Sequence, residues 1–148
     1  MTKEPLVKKM ITVQASRTKV WEALTRPELT RKYMFGSDVV SDWRVGSPII
    51  WKGVVDGNER VFVKGEVKSI EHERLLEYTV FAPNSGIEDM PSNYTTVRCE
   101  LSSSENHTTI TITQGDFSTI AGGEKRYADT LGGWDFALNG LKRLVESE

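Results

Sequence analysis

The sequence predicts an α+β fold in which an antiparallel sheet carries one long helix on a single face. Three observations predict it. The run Gly132 to Glu146, GGWDFALNGLKRLVE, has the period of an amphipathic helix. Counted back to Tyr127, its apolar side chains fall at Tyr127, Leu131, Trp134, Leu138, Leu141 and Val145, in steps of four and three that form one helical stripe. Asp135, Asn139, Lys142, Arg143 and Glu146 lie off that stripe and can face water. Most of the preceding chain alternates apolar and polar residues between turn signals, which is strand patterning. Finally, the predicted order is strand, two short helices, about six strands, then the helix. Sequential strands joined by tight turns favour an antiparallel meander, and a helix confined to one face of it makes two layers. Where such a sheet curves around the helix, the apolar faces need not meet everywhere, and a gap between them is a cavity.

The first strand is Val7, Lys9, Ile11 and Val13, alternating with Lys8, Met10, Thr12 and Gln14. Ala15-Ser16 then precede RTKVWEALTRPEL, and the Ser16 hydroxyl suits an N-cap because it can accept an unpaired first-turn amide. Val20, Trp21 and Leu24 share one face of this short helix, which Pro27 ends because proline lacks an amide proton. A second short helix, Glu28 to Tyr33, leads into Met34-Phe35-Gly36.

Asp38–Trp43 reads as a strand, followed by the turn Arg44–Pro48 and the strand Ile49–Gly53. Asp56-Gly57-Asn58 is a hairpin turn, since these residues tolerate positive φ. Val61–Ile70 forms one long strand, and Glu71–Arg74 turns into Leu75–Phe81. Ala82–Asn93, with two prolines and a glycine, is a long loop without a period. Tyr94–Leu101 and Thr108–Thr113 are the last strands, joined by the polar turn Ser102–Asn106, and Gly115–Glu124 connects to the final helix. There is no internal repeat, linker or low-complexity tract.

Composition bounds the function. At 148 residues the chain is expected to form one domain with a real core. Nineteen basic and twenty-one acidic residues, with neither sign massed in a block, argue against nucleic acid as a partner. Cys99 is the single cysteine, which excludes an intrachain disulfide and a Cys-rich metal site. The N-terminus carries charges where a signal peptide needs an apolar core, and no apolar run approaches the roughly 20 residues that span a bilayer. No membrane insertion is expected, and the expected setting is cytoplasmic.

The stretch Ala15-Ser16-Arg17-Thr18-Lys19-Val20-Trp21-Glu22-Ala23-Leu24, followed by Arg26-Pro27-Glu28-Leu29, resembles the opening of the START-like, or SRPBCC, superfamily. Phe35-Gly36-Ser37-Asp38, Asp42-Trp43-Arg44-Val45-Gly46-Ser47 and the closing Gly133-Trp134 helix narrow the resemblance to the branch named for the activator of heat-shock protein 90 ATPase. Gly65-Glu66-Val67 and Glu73-Arg74-Leu75-Leu76-Glu77-Tyr78 match that branch as well. The resemblance covers nearly the whole chain and implies a helix-grip fold, a curved sheet wrapped around the C-terminal helix and enclosing an apolar pocket. Members of the superfamily bind lipids, steroids, polyketides and other hydrophobic molecules, and some catalyse cyclisation or hydroxylation. The eukaryotic chaperone activator carries this domain behind a separate N-terminal domain. Residues 1–148 are expected to hold the START-like domain alone, so chaperone activation is not carried over by name.

No residue pattern calls for catalysis, a metal or a cofactor. His72 and His107 fall in polar turns, where solvated histidines are the simplest reading. HExxH, CxxC, GxSxG, P-loop and dinucleotide patterns are all missing from the sequence. A carboxylate inside an apolar cavity could serve as acid or base, but strand parity sets Glu66 with Lys64 and Lys68, and Glu100 with Arg98. Both belong to outward faces. Cys99 shares parity with Val97 and Leu101 and reads as a small core hydrophobe.

The aromatic residues are the better functional signal. Trp51, Tyr78 and Trp134 pair a large apolar surface with a polar tip that needs a partner when buried. Lining a gap between helix and sheet, they would form the apolar wall and few placed polar groups of a small-molecule pocket. The expected lining adds Tyr33, Met34 and Phe35 after the second short helix, and Val80, Val97 and Cys99 from the sheet. Tyr127, Leu131 and Leu138 complete it from the helix. The 82–93 loop and the segment 119–127 are expected near its mouth, with Met34 and Met90 as adaptable gating contacts. The expected function is binding of a lipid-like or aromatic hydrophobic molecule. The alternatives are a chaperone-interacting or stress-response module, which needs an exposed docking patch, and a polyketide cyclase-like enzyme, which needs an ionisable group inside the cavity. A homodimer would suit an exposed edge strand.

Overall fold

The computed structural model describes residues 6–118, 120 and 122–147. Seven strands form one antiparallel sheet: β1 (Val7–Val13), β2 (Asp38–Ser41), β3 (Pro48–Val55), β4 (Asn58–Glu71), β5 (Leu75–Val80), β6 (Thr95–Ser104) and β7 (His107–Gly115). Their order is β1-β7-β6-β5-β4-β3-β2, so β2 to β7 form a meander and β1 closes against β7. Helices α1 (Arg17–Thr25) and α2 (Pro27–Tyr33) follow β1, and α3 (Gly123–Glu146) ends the fold. This is a helix-grip fold. Among the described residues no helix is long and apolar enough to cross a membrane.

Local chemistry accounts for the short elements. Ser16 Oγ accepts from the Lys19 amide at 3.2 Å and starts α1. Pro27 lies at the first position of α2, where its missing amide is harmless, so the proline both stops one helix and begins the next. Asp56 and Gly57 both take positive φ, giving a two-residue hairpin between β3 and β4.

Several boundaries differ from the sequence expectation. β2 stops at Ser41, because Trp43 adopts φ +58° and its amide donates to Ser41 Oγ. β7 continues to Gly115, since β1 pairs with it as far as Gln114 and β6 as far as Gly115, which brings Gln114 into the ladder. α3 begins at Gly123, more than two turns before Gly132, so Gly132-Gly133 lie inside the helix. Packing of its apolar stripe overrides the weak helix propensity of two glycines.

Curvature comes mainly from β4. Trp51 pairs with Val63 and Lys52 with Val61, leaving Phe62 as an extra residue in a β-bulge. A second irregularity lies between Val67 and Ser69, opposite Tyr78 and Glu77. Between them, Gly65 lies so close to β5 that an added Cβ would fall 1.6 Å from the Thr79 carbonyl oxygen. The strand therefore bends around α3, whose Ala137, Leu138, Leu141 and Val145 pack against Val67, Leu76, Val97, Ile110 and Ile112. α2 is held against the helix through Gly140, where a Cβ would meet Tyr33 Cβ at 3.0 Å. The Tyr33 hydroxyl donates to the Ala23 carbonyl at 2.6 Å and ties α2 to α1.

Candidate functional site: a cavity between sheet and helix

Where β4 bends away, sheet and α3 part around a cavity of ≈ 280 Å³. Met34 and Phe35, from the turn after α2, line one side. Trp51 of β3, the bulged Phe62 and Val63 of β4, Tyr78 and Val80 of β5 and Val97 of β6 form the sheet wall. Thr130, Gly133, Trp134 and Ala137 close it from α3, with Ser37 and Gln114 adding polar atoms. A smaller space of ≈ 20 Å³ lies behind Met34, Trp51, Tyr78 and Trp134. It reaches Tyr33, Cys99 and Leu138.

The polar atoms of the wall fall into two sets. Gln114 is buried, and its side-chain amide donates from Nε2 to Thr95 Oγ1 at 2.9 Å. Its Oε1 accepts from Trp134 Nε1 at 2.8 Å. Ser37 and Thr130 hydroxyls donate to the Met34 and Arg126 carbonyls. These groups are satisfied within the protein. By contrast, Tyr78 and Trp51 pack ring on ring at 5.0 Å and 46°, and among the described residues neither the Tyr78 hydroxyl nor Trp51 Nε1 has a hydrogen-bond partner. Burial pushes the Tyr78 phenol well above the usual tyrosine range, so it remains a neutral donor and acceptor. The cavity wall is thus apolar, with two polar tips that bond to no described residue.

Phe35 stands at the mouth. Its backbone takes φ +56°, in the left-handed region before Gly36 at +75°. The ring, 63% exposed, stacks on Phe136 of α3 at 5.1 Å and 21°.

Some expected lining residues lie elsewhere. Tyr127 and Leu131 pack with Val7, Phe117 and Ile120 in a second core cluster, and Tyr127 meets Phe117 edge-on at 5.7 Å. The helix stripe is straight, but the sheet beneath it changes from cavity wall to closed core. No residue of the 82–93 loop lines the cavity, and Met90 is exposed on the surface. That loop is held to β4 by Lys64, which pairs with Asp89, and by Asn84 Nδ2, which donates to the Val61 carbonyl. The described part of the segment 119–127 does not line the cavity either, and Thr119 and Ala121 lie outside the described residues.

Sequence reasoning missed Ser37, Phe62, Val63, Gln114, Thr130, Gly133 and Ala137. Gln114 carried a readable signal, because it continues the inward parity of Ile110 and Ile112. Phe62 did not, because its direction depends on a bulge created by pairing with β3.

The ionisable groups stand away from the cavity. Glu66 and Glu100 face solvent near Lys68 and Arg98. His72 is exposed in the turn after β4, its ring edge-on to Trp21 at 5.8 Å. Burial, with a smaller contribution from the Glu100 carboxylate, pushes the Cys99 thiol up to about 12. Among the described residues no group of His, Cys, Asp and Glu could hold a metal ion.

This architecture has known counterparts. Residues 14–146, from the end of β1 to the end of α3, match the family described as activator of Hsp90 ATPase homolog 1-like protein. The chain belongs to this family. Its Hsp90 ATPase activator-like fold is shared by the solution structure of ChR145 from Cytophaga hutchinsonii, at 34% identity and a TM-score of 0.79 over 99% of this chain and 97% of that one. The Aha1 dimer from Colwellia psychrerythraea is similar at 21% identity and TM-score 0.72, over 95% of this chain and 96% of that one. CalU16 from Micromonospora echinospora, at 19% identity and TM-score 0.70, covers 95% of this chain and 73% of its own. The latter two likenesses concern the fold alone. No curated protein matches the chain.

Proposed function

We propose that this chain, acting as one domain in the cytoplasm, binds a hydrophobic small molecule in the cavity between sheet and α3. The observation that carries this reading is the cavity of ≈ 280 Å³ walled by Trp51, Phe62, Tyr78, Val97 and Trp134. Its size approaches the lower end of the roughly 300–1,000 Å³ range of small-molecule sites. Desolvation of an apolar guest supplies the affinity, and the Tyr78 hydroxyl and Trp51 indole N–H orient a polar atom on it. Native mass spectrometry followed by organic extraction tests the reading. A defined hydrophobic adduct, absent from Val97→Trp, supports it. An adduct-free mass, with no melting shift across lipids and aromatic metabolites, counts against it.

A second reading is a protein-interaction module, including a stress-related role beside a chaperone. It draws on the family match and on the exposed Phe35–Phe136 stack, since a solvent-facing aromatic pair suits a partner surface. Light scattering of the wild type and of Phe136→Ser, alone and with Hsp90, tests it. A homodimer lost in the variant would assign the stack to self-association instead.

A further inference from the structure

Two donors of the cavity wall have nothing to donate to. Trp51 Nε1 and the Tyr78 hydroxyl bond to no described residue, although each side chain belongs to a residue only 6% exposed. Buried polar groups of native proteins are nearly always paired, so each calls for a partner that enters the cavity. Neither atom is sealed in. Among the described residues, the only unpartnered side-chain nitrogen or oxygen closed to a water-sized molecule is Arg126 Nη1, which is not part of the wall. Trp51 and Tyr78 line both the cavity and the smaller space behind it, with ring centroids 5.0 Å apart. The two rings therefore stand side by side in one wall.

The rest of the lining narrows the chemistry of that partner. No lining residue carries a charge, and burial keeps the Tyr78 phenol protonated. Ser37, Gln114 and Thr130 already bond within the protein. A carboxylate or ammonium group placed here would lose its hydration and meet no counter-charge, which is costly. Trp51 Nε1 can only donate, so a guest without an acceptor leaves it unpaired. A carbonyl oxygen has two lone pairs and no net charge, and it can accept from either donor or from both. We propose that Trp51 Nε1 and the Tyr78 hydroxyl donate to the carbonyl oxygen of an uncharged guest whose apolar body fills the cavity. This rests on the cavity reading and names the ligand class it serves.

The ketone 2-heptanone and the alkene 2-methyl-1-heptene share a shape and differ in one oxygen. Titrating both into wild type, Tyr78→Phe and Trp51→Phe isolates the acceptor, and heptanoate adds the charge. Intrinsic tryptophan fluorescence reports occupancy, because Trp134 lines the cavity and remains in every variant. The ketone-to-alkene affinity ratio is expected to fall about fivefold in each variant, the worth of one neutral hydrogen bond. A fall in one variant alone supports the assignment with that residue as the donor. At about pH 8 heptanoate, an anion there, should bind wild type at least about tenfold more weakly than the ketone. An unchanged ratio in both variants, or heptanoate binding as tightly as the ketone, overturns the assignment. The cavity reading survives that result if alkene binding is lost in Val97→Trp. Failure of wild type to bind ketone or alkene overturns both.

Discussion

Trp134 Nε1 donates to Gln114 Oε1 at 2.8 Å, a bond that joins α3 to β7 across the cavity's inner edge. The other end of the same amide donates to Thr95 on β6. One buried side chain therefore satisfies two strands and the helix. Gln114→Leu keeps the approximate volume and removes both bonds, leaving the Trp134 indole and Thr95 hydroxyl unpaired. Unsatisfied buried groups of this kind cost about 1–3 kcal/mol. Urea denaturation should show a loss in that range, and an unchanged midpoint would remove Gln114 from the structural role given to it.

The Tyr78 hydroxyl has no such duty within the described residues. Tyr78→Phe should therefore leave the urea midpoint within about 0.5 kcal/mol of wild type while changing the affinity for a polar-headed guest. Unchanged binding would take the hydroxyl out of the site.

Two glycines should respond in opposite directions. Gly65→Ala drives a methyl group into the Thr79 carbonyl, so β4 and β5 must separate, and we expect a loss of at least about 2 kcal/mol. Gly132 lies exposed inside α3, with no atom within 4 Å of an added Cβ. Gly132→Ala should gain about 0.5–1 kcal/mol, because alanine loses less backbone entropy in a helix. Paired thermal melts of the two variants check both signs.

Cys99 should be inert while the protein is folded. Its thiol is buried and its pKa is pushed up to about 12, so little thiolate exists at pH 8. A thiol reagent should react slowly with native protein and rapidly in guanidinium. Fast native labelling would show that the sheet opens at β6.

Glu146 ties the end of α3 to the end of β1. It accepts from Lys142 Nζ at 2.8 Å and from the Gln14 amide at 2.7 Å, and these bonds hold its carboxyl below the usual carboxylate range. A depressed carboxyl pKa means that the unfolded chain binds the proton more readily. The stabilisation is thus present above the unfolded carboxylate pKa and is lost as pH falls through the folded one. Wild type should exceed Glu146→Gln in stability at neutral pH, and the gap should close below about pH 4. Urea midpoints across that range measure it, and a gap independent of pH would refute the linkage.

Much of the fold was legible because it rests on local rules. Strand parity put Cys99 inward and Glu66 and Glu100 outward, and each side chain lies where period-2 alternation sends it. The Ser16 cap and the Pro27 break depend on a few adjacent residues, and the structure shows both. The stripe Leu138, Leu141 and Val145 reached the core for the same reason. The site was less legible. Tyr127 and Leu131 share that stripe but meet Phe117 and Ile120 rather than the cavity. Periodicity tells which face is buried, but not what the face is buried against.

The sequence by itself determined the element types, their order, the antiparallel meander, the family and the apolar face of the last helix. The family follows from the resemblance of its ordered motifs, and the rest from side-chain period, turn chemistry or capping within a few residues. Only the tertiary structure decided that Phe62 turns into the cavity and that Gln114 bridges β6 and α3. Those outcomes depend on strand register, on the bulges of β4 and on how far the sheet parts from the helix. Such quantities arise from contacts between residues far apart in the chain, which no local pattern encodes.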